Sequence, residues 1–415
     1  MASCLIKSAL VKLPQTLLNM QFKVVSSSGV ASQVVSSNGV ASRYYSSKPR
    51  PPVHMDETKV QKSVFISQSS NIFTNLALED WLYKNFDFTN HHVMLLWRNN
   101  PCVVIGRHQN PWQETNLGVL YDEGIEIARR NSGGGTVYHD LGNLNVTFFT
   151  PRERYNRRNN LEIISRTLER EFNIQTEINT REDIVYDGKY KISGTAAKLG
   201  RPNSYHHCTL LVDVNKSMLH QSLHQHTQKG IISNATASTP APTLNLQEIS
   251  PDVTMDRLIK SIGYEYLRTK AISMEDGEEG QISKQRGFQT INPTDDWFPG
   301  LAKIQAEYQG WDWRYGSTPK FTISQSFDIP DEHSAGCTGQ LVISLEIVKG
   351  LIESVCFKIP PQLVNDEHFL QDAELLCSVQ GRKFTESALD DLKETLTSRG
   401  QTYLGTSLDR VVTTV

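Results

Sequence analysis

Three consecutive glycines follow a pair of arginines in the first half of the chain. Arg129 and Arg130 lead to Ser132 and the triplet 133–135, and an alternating run ending at Phe149 comes next. Because glycine has no Cβ, such a triplet can adopt positive φ and bring its backbone close to a ligand. Successive free N–H groups form a concave anion site, to which a nearby arginine adds a fixed charge. The stretch therefore predicts a phosphate or carboxylate site or, more simply, a tight turn between strands.

A lysine followed by small hydroxyl residues lies further along the chain. It comes after a strand-like run and an Asp187–Gly188 turn, which predicts the return strand of a hairpin. Alternation on that strand places Lys191, Ser193 and Thr195 on one face and Ile192 on the other. A mobile cation, two hydroxyls and an open backbone suit a charged acyl or phosphoryl group. Taken alone, Lys191 is more simply interpreted as a solvated lysine on a strand.

The run His206-His207-Cys208 contains three residue types that bind metals. On a strand, neighbouring side chains point to opposite faces, so the three cannot all reach one ion. Cys208 could instead be a nucleophile, although a buried strand thiol is usually unreactive. We therefore predict no metal site here and leave the nucleophile role of Cys208 as the less favoured alternative.

The hydrophobic pattern indicates the elements that would position these residues. Apolar residues spaced i, i+3 and i+4 after Asn71 predict an amphipathic helix, and a second apolar stripe predicts a helix over 161–172. Two short apolar runs, 94–97 and 102–105, predict a hairpin. The segment 230–244, rich in Ser, Thr, Ala and Pro, is predicted to be a mobile loop that could close over a ligand.

The C-terminal part shows a different pattern. The acid-rich segment 274–286 is predicted to be a solvated insertion, and a linker is predicted at 292–296. Alternation then predicts three strands, and apolar spacing predicts two helices after them. The predicted ranges are 321–329, 340–348 and 351–359 for the strands and 363–377 and 385–399 for the helices. We find no residues for chemistry in this small α+β module.

Composition excludes several classes of function. The 415 residues are enough for two or three domains, and the formal net charge of −3 gives no support to nucleic-acid binding. No apolar run approaches the ~18 residues that a membrane span needs. The six cysteines are scattered without a C-x-x-C pair, which favours a reducing compartment and argues against a disulfide framework or structural zinc.

The N-terminal segment has the composition of a targeting sequence. The first 55 residues contain no acidic residue and are basic and rich in serine. This is typical of a mitochondrial transit peptide, and the apolar segment of a secretory signal is missing. Arg43-Tyr44-Tyr45-Ser46 resembles a matrix-processing site with cleavage after Tyr45. We therefore predict a transit peptide over 1–45 and a location in the mitochondrial matrix.

Six groups of motifs occur in one order along the chain: G-R-H-Q-N-P-W, R-R-x-S-G-G-G-x-V-x-H-D-x-G-N, K-I-S-G-T-A with Y-H-H-C-T-L-L, S-N-A-T-A-S, I-N-P-T-D and W-D-W-R-Y-G-x-T-P-K-F. Together they resemble the lipoate–protein ligase and lipoyltransferase family, in particular its mitochondrial members, over roughly residues 63–330. The resemblance implies an α+β fold with a large mixed-sheet catalytic domain of the lipoate/biotin protein ligase type. That domain would span 57–290, and a small α+β accessory domain would span 297–415.

The resemblance also implies a site for a lipoyl adenylate. Lys191 would be the catalytic residue, placed beside the acyl carbonyl and the phosphate of lipoyl-AMP. Arg107 and His108 would form a wall of the lipoyl pocket, or would be surface residues at a strand end. The remaining residues expected to bind lipoyl-AMP are Arg130, Ser132, Gly133, Gly134, Gly135, Tyr138, His139, Arg181, Ser193, Gly194, Thr209, Thr239 and Ala241.

By the same resemblance, the protein would transfer a lipoyl or octanoyl group to a specific lysine on the lipoyl domains of 2-oxoacid dehydrogenase E2 subunits. The donor would be lipoyl-AMP or lipoylated glycine-cleavage H protein. No tightly bound cofactor is expected, and magnesium would be needed only if the protein also activates lipoate. Neither a nucleic acid nor a membrane is an expected partner. A complete ATP-dependent lipoate–protein ligase and a non-catalytic scaffold that binds lipoyl domains remain as alternatives.

Overall fold

The computed structural model describes residues 56–223, 230–328, 340–358, 379–385, 387–391 and 394. The predicted transit peptide and the predicted helix 363–377 lie outside these residues. Of the predicted helix 385–399, residues 387–391 and 394 are helical. Among the described residues, no helix is long and apolar enough to cross a lipid bilayer.

The described elements alternate between strands and helices. The strands are β1 (Gln61–Ser67), β2 (His91–Trp97), β3 (Cys102–Ile105), β4 (Glu126–Arg129), β5 (Val137–His139), β6 (Asn143–Pro151), β7 (Glu177–Ile178), β8 (Ile184–Tyr186), β9 (Tyr190–Lys191), β10 (Ser193–Leu199), β11 (Asn203–Leu211), β12 (Ile231–Ser233), β13 (Gly287–Ile291), β14 (Phe321–Asp328), β15 (Gln340–Val348) and β16 (Leu351–Lys358). The helices are α1 (Ile72–Asn85), α2 (Pro111–Glu114), α3 (Leu117–Asp122), α4 (Arg157–Phe172), α5 (Lys216–Leu223), α6 (Leu246–Ile249), α7 (Met255–Arg268), α8 (Glu278–Ile282), α9 (Leu301–Gln309) and α10 (Trp311–Arg314).

A six-stranded mixed sheet forms the centre of the molecule, in the order β10-β11-β6-β2-β1-β13. Strand β1 runs parallel to both β2 and β13, and the other neighbours are antiparallel. One face packs on α1, and the opposite face packs on α4 and α7. The large mixed sheet and the α+β class are therefore confirmed.

Helix α1 confirms the predicted helix after Asn71, but it is buried on more than one face. Asn71 caps its N-terminus by accepting a hydrogen bond from the Thr74 N–H. The carboxylates of Glu79 and Asp80 are almost fully buried, although the pattern predicts an amphipathic helix. The physical reason is that Glu79 faces the central sheet and bonds to Thr147 and His207, while α9 covers the side of α1 that faces away from the sheet, with Trp81 packed edge-on against Phe298.

The hairpin predicted from residues 94–97 and 102–105 is wrong. Strand β2 belongs to the central sheet, whereas β3 lies in a separate three-stranded sheet of order β4-β3-β5. The connection between them contains the buried Asn99, whose side chain accepts from Asn75 and contacts His139. These bonds hold the chain as it passes from one sheet to the other. The prediction failed because a local alternation pattern does not indicate which strands pair.

The second predicted hairpin is confirmed. Val185 pairs with Lys191 across β8 and β9, and Asp187 and Gly188 in the turn have φ of 52° and 61°. However, the single strand predicted to continue through Thr195 is two strands in two sheets. The buried Ile192 separates β9 from β10, which belongs to the central sheet.

The C-terminal strands form a four-stranded antiparallel sheet of order β12-β14-β15-β16. The three predicted strands are confirmed over the residues that the structure describes. The edge strand β12 comes from the segment predicted as a mobile loop, and Ile232 pairs with Thr322. Trp112 of the preceding part packs in the core of this sheet against Phe321 and Phe384. The two parts of the chain therefore share contacts, and their division into domains stays a prediction.

Candidate functional site

The glycine loop is held in place by the buried side chain of Arg130. Its Nε and Nη2 donate to the Gly133 carbonyl at 3.1 and 2.7 Å, and Nη2 also donates to the Gly135 carbonyl at 2.7 Å. Its Nη1 donates to the Val104 carbonyl on the neighbouring strand β3 at 3.0 Å. Burial lowers the pKa of Arg130 to about 10, so the group remains charged at neutral pH. Arg130 thus fixes the loop by binding its carbonyl oxygens.

This arrangement leaves the N–H side of the loop without protein partners. In the described part of the chain, the N–H groups of Gly133, Gly134 and Gly135 form no backbone hydrogen bond, and Gly134 is exposed. Gly134 has φ of +93°, and a Cβ there would lie 2.9 Å from Nη2 of Arg130. N–H groups without protein partners are what a concave anion site requires. The loop therefore fits the predicted role.

The adjacent Arg129 lies on the other face of β4 and is fully buried. Its guanidinium donates to the carbonyls of Gln109, Trp313 and Arg314 and to the Thr318 hydroxyl, among other acceptors. Burial lowers its pKa to about 9. Arg129 therefore ties the strand that leads into the glycine loop to the segment that precedes the C-terminal sheet.

The central sheet presents buried polar groups beneath the loop. Gly134 and Val137 pack over β10, with Gly134 near the Thr195 carbonyl and Val137 near Gly194. The neighbouring strands β11 and β6 pair Thr209 with Asn145. Asn143 and Asn145 are fully buried, and neither side-chain amide has a hydrogen-bond partner among the described residues. Buried amides normally find partners, so these two indicate space for a polar ligand.

Two further buried groups near the loop lack partners within the described structure. Asn99 Nδ2 contacts Nδ1 of His139 at 3.0 Å, and burial holds the pKa of His139 well below its usual value. The neutral ring then accepts at Nδ1 and carries its proton on Nε2, which has no partner. The Ser132 hydroxyl is also buried without a partner. Both groups were predicted from the sequence.

A hydrogen-bonded network positions the wall between the sheet and α1. The buried carboxylate of Glu79 accepts from the Thr147 hydroxyl at 2.7 Å and from Nδ1 of His207 at 2.9 Å. The Trp97 indole donates to the same hydroxyl at 3.1 Å, and its ring lies 6.3 Å from the ring of His139. These bonds fix the orientation of Trp97 next to Asn145, its partner across the β2–β6 ladder.

Lys191 forms an ion pair that the sequence analysis did not predict. Its Nζ lies 2.9 Å from Oδ1 of Asp183, and a quarter of the lysine side chain is exposed. The Lys191 backbone is held by the Pro242 carbonyl and the Leu244 N–H. Arg181, the predicted cation of this segment, is exposed, whereas Asp183 is buried. In the sequence, Asp183 is marked only by its position directly before an apolar strand, and that strand pairs with the strand of Lys191.

The segment after β12 crosses the glycine loop. The Ser238 hydroxyl accepts from the Thr136 N–H at 2.9 Å and donates to the buried carboxylate of Glu114. Gln109 donates to the same hydroxyl. Thr239 and Ala241, which follow, are exposed. The segment is therefore placed where a cover over the loop is expected, and its mobility stays a prediction.

Other predicted site residues lie apart from the loop or use their polar groups elsewhere. Tyr138 packs in an apolar cluster with Val103 and Ile105, and burial raises its pKa to about 12. The Ser193 hydroxyl is buried and accepts from the Ile184 N–H at 2.8 Å. Arg107 stacks on Trp313, and His108 is exposed. Their proposed contacts with a ligand stay predictions.

The His206-His207-Cys208 strand behaves as its alternation predicts. His206 contacts Asn160 of α4 on one face of the sheet, while His207 contacts Glu79 of α1 on the other. Cys208 is fully buried in the core beside α4, and burial raises the pKa of its thiol. A thiol in this environment is a poor nucleophile. Among the described residues, no three His, Cys, Asp or Glu side chains gather as a metal site.

Comparisons with known proteins find similar chains. A family model described as the lipoyl protein ligase A/B catalytic domain matches residues 71–266. The chain is 42% identical over 296 residues to the human protein named lipoyl amidotransferase LIPT1, mitochondrial, covering 71% of this chain and 75% of that protein. It is 36% identical over 263 residues to lipoate-protein ligase A of Bdellovibrio bacteriovorus, covering 62% and 73%. The solved structure of Plasmodium falciparum LipL1 in complex with lipoate is similar, with 25% identity and a TM-score of 0.52, and the match covers 83% of this chain and 99% of that one.

Proposed function

Because this chain belongs to the lipoate–protein ligase and lipoyltransferase family, we propose that it is an acyltransferase that attaches a lipoyl group to a lysine of an acceptor protein. The observation that carries the proposal is a set of buried polar groups without partners in the described structure, namely Asn143 and Asn145 of β6, Ser132 next to the glycine loop and Nε2 of His139. The relatives named as mitochondrial support a mitochondrial location. We place the protein in the matrix, as the N-terminal composition predicts.

The proposed reaction exchanges one acyl bond for another. The amine of the acceptor lysine attacks the acyl carbonyl of lipoyl-AMP, an amide bond forms, AMP leaves with the electrons of the anhydride bond, and the amine loses a proton. Because a mixed anhydride has a good leaving group, the enzyme mainly has to position the reactants and neutralise charge. The N–H groups of the glycine loop and the Lys191 ammonium would stabilise the negative charge on the carbonyl and phosphate oxygens.

Lys191 is the proposed catalytic residue, and Asp183 is its proposed positioning residue. The ion pair of 2.9 Å and the two backbone bonds of Lys191 hold the ammonium on the edge of β9. A cation held in advance at the place where negative charge develops costs no reorganisation during the reaction. A protonated Lys191 cannot also remove the proton from the acceptor amine, so that proton leaves by another route.

The proposed acceptors are the lipoyl domains of 2-oxoacid dehydrogenase E2 subunits, and lipoylated glycine-cleavage H protein is a proposed alternative donor. We assign the transfer site to a catalytic domain over 57–290 and an accessory role to 297–415. A complete ATP-dependent ligase is the second candidate, because the relative from Bdellovibrio bacteriovorus is named as a ligase. In that case the protein would use ATP and magnesium to make lipoyl-AMP itself.

The deciding experiment is mass spectrometry of an isolated lipoyl domain mixed with this protein. Lipoyl-AMP, lipoylated H protein, and free lipoate with ATP and magnesium are supplied in separate reactions. A mass gain with either of the first two donors but not the third establishes a transferase, and a gain with the third establishes a ligase. If no donor gives a gain, the protein is a scaffold and the proposal is wrong.

The assignment of Lys191 is tested by paired variants in the same assay. We expect Lys191→Ala to lose transfer while the protein stays folded, because this lysine is only partly buried. Lys189→Ala is the matched control, since Lys189 is an exposed lysine of the same hairpin, and it should transfer normally. Equal activity of the two variants would contradict the role of Lys191, without bearing on whether the protein transfers lipoyl groups.

A further inference from the structure

A cavity of about 290 Å³ lies on the face of the central sheet opposite the glycine loop. Strand β6 shows the separation: Phe148 and Thr150 line the cavity, whereas Asn145 and Thr147 belong to the other face. The cavity is closed by the start of α4, by Tyr266 of α7 and by the segment that follows α7. It is therefore separate from the proposed transfer site.

The lining of this cavity includes buried nitrogen atoms without a hydrogen-bond partner in the described structure. Only 3% of His92 is exposed, and its Nε2 has no partner among the described residues. Nη1 of Arg154 is likewise buried without a partner in the described structure. Asn159 and Asn160, on the first turn of α4, also line the cavity, and Asn160 contacts His206. The N-terminal end of this helix carries a partial positive charge, which favours an anion.

A buried lysine is a second group that can carry a positive charge here. Lys62 lines the cavity and is 2% exposed. Its Nζ donates to the Tyr266 and Thr269 carbonyls at 3.0 and 2.5 Å and lies 4.5 Å from the Tyr266 ring. Two of its three donors are thus occupied, and one is left. Burial lowers the pKa of Lys62 to about 7, and a bound anion would stabilise its charged form.

The lining also has an apolar part. Phe148 and Ile163 belong to it, and Ile272 and Met274 come from the loop after α7. Ile272 is 43% exposed, so part of this apolar surface is open to solvent. The volume is at the lower end of the ~300–1,000 Å³ range of small-molecule sites, which indicates a small ligand. The segment interpreted from sequence as a solvated insertion thus begins by completing a pocket.

We propose that this cavity, here called the carboxylate pocket, binds a small monocarboxylate with an apolar body. The carboxylate would lie at Arg154, His92 and the start of α4, and the body would lie against Phe148 and Ile163. Glu153, an exposed carboxylate on the rim, opposes a dianion such as phosphate more than a monoanion. A planar carboxylate also matches the geometry of an arginine donor.

The test measures binding of 3-phenylpropionate to the full chain by isothermal titration calorimetry. The uncharged 3-phenylpropanol has the same body without the carboxylate, and inorganic phosphate has the charge without the body. We expect the acid to bind at least about tenfold more tightly than the alcohol, which lacks the charged hydrogen-bonding group, and than phosphate, which lacks the apolar body. Equal binding of the acid and the alcohol, tighter binding of phosphate, or no binding of the acid would each overturn the proposal.

Three variants locate the bound acid. Arg154→Gln should weaken binding about tenfold because it removes the charged donor. Ala271→Trp, at a partly exposed position of the lining, should fill the pocket and abolish binding. Arg158→Gln is the matched control, because Arg158 is an exposed arginine on the first turn of α4 and pairs with Glu162. Its binding of the acid should be unchanged. Lipoyl transfer by Ala271→Trp should remain normal. Unaltered binding of the acid by Ala271→Trp would place the ligand elsewhere and refute the proposal.

Discussion

Replacing Arg130 by lysine tests whether this residue acts through its shape or through its charge. The sequence alone predicts that Arg130 binds an anion, and a lysine would keep that charge. In the structure, the guanidinium instead donates four hydrogen bonds to the carbonyls of Val104, Gly133 and Gly135. A lysine has one nitrogen at one place, so it cannot bridge the loop to strand β3 as the planar fork does.

The cost of this change follows from the bonds that are lost. A hydrogen bond to a charged group contributes ~1.5–3 kcal/mol, and a buried acceptor left unpaired costs ~1–3 kcal/mol. The loop carbonyls can regain water, whereas the Val104 carbonyl on β3 lies in a buried strand. We therefore expect Arg130→Lys to lower the free energy of unfolding by about 2–4 kcal/mol. A displaced loop should also cost ~2–3 kcal/mol of transition-state stabilisation, which lowers kcat/KM by roughly 30- to 160-fold.

The assay compares Arg130→Lys, Arg130→Met and the control Arg158→Lys, with urea unfolding and lipoyl transfer measured for each. If Arg130 fixes the loop, lysine and methionine should both impair transfer strongly. The control arginine is exposed and should behave as the original protein does. Near-normal transfer by Arg130→Lys together with an inactive Arg130→Met would show that only the charge matters, and the argument from the loop carbonyls would be refuted.

Two further predictions follow from buried groups. Cys208→Ala should keep near-normal transfer because the thiol is enclosed in the core and burial raises its pKa; loss of an acylated Cys208 adduct along with activity would contradict this. Lys62→Met should be stabilised relative to the original protein most at pH 7 and least at pH 10. Burial lowers the pKa of Lys62 to about 7 in the folded protein, whereas the pKa stays at ~10.4 in the unfolded chain. Between these two values the unfolded state binds more protons than the folded state. The free-energy cost of burying Lys62 therefore decreases as the pH rises. Urea unfolding at both pH values measures the difference, and a difference that does not shrink at pH 10 would rule the explanation out.

The sequence predicts the local features of this protein well. The hairpin around Asp187 and Gly188, helix α4 and the C-terminal strands depend on turn residues and on the spacing of apolar residues, which are local properties. The turn at Gly134 also follows from residue type, because glycine adopts its φ of +93° without strain.

What the sequence does not predict depends on contacts between distant parts of the chain. The passage of β2 and β3 into different sheets is set by Asn99 and its partners Asn75 and His139. The burial of Asn143 and Asn145 is visible only as polar residues alternating in a strand, and their lack of partners needs the packed structure. The sequence indicates Arg181 as the charged candidate of this segment, and only the fold places the Asp183 carboxylate against Lys191.

The seven hydrogen bonds of Arg129 also bear on how this protein can be divided or recombined. A shortened version that ends before Trp313 would leave a buried cation facing the gap where the carbonyls of Trp313 and Arg314 had been. Such a charge would draw water into the strand that supports the glycine loop. A chimera that joins the first part of one relative to the last part of another therefore has to match at this arginine. The segment 313–318 and the strand that leads into the glycine loop therefore form one structural unit.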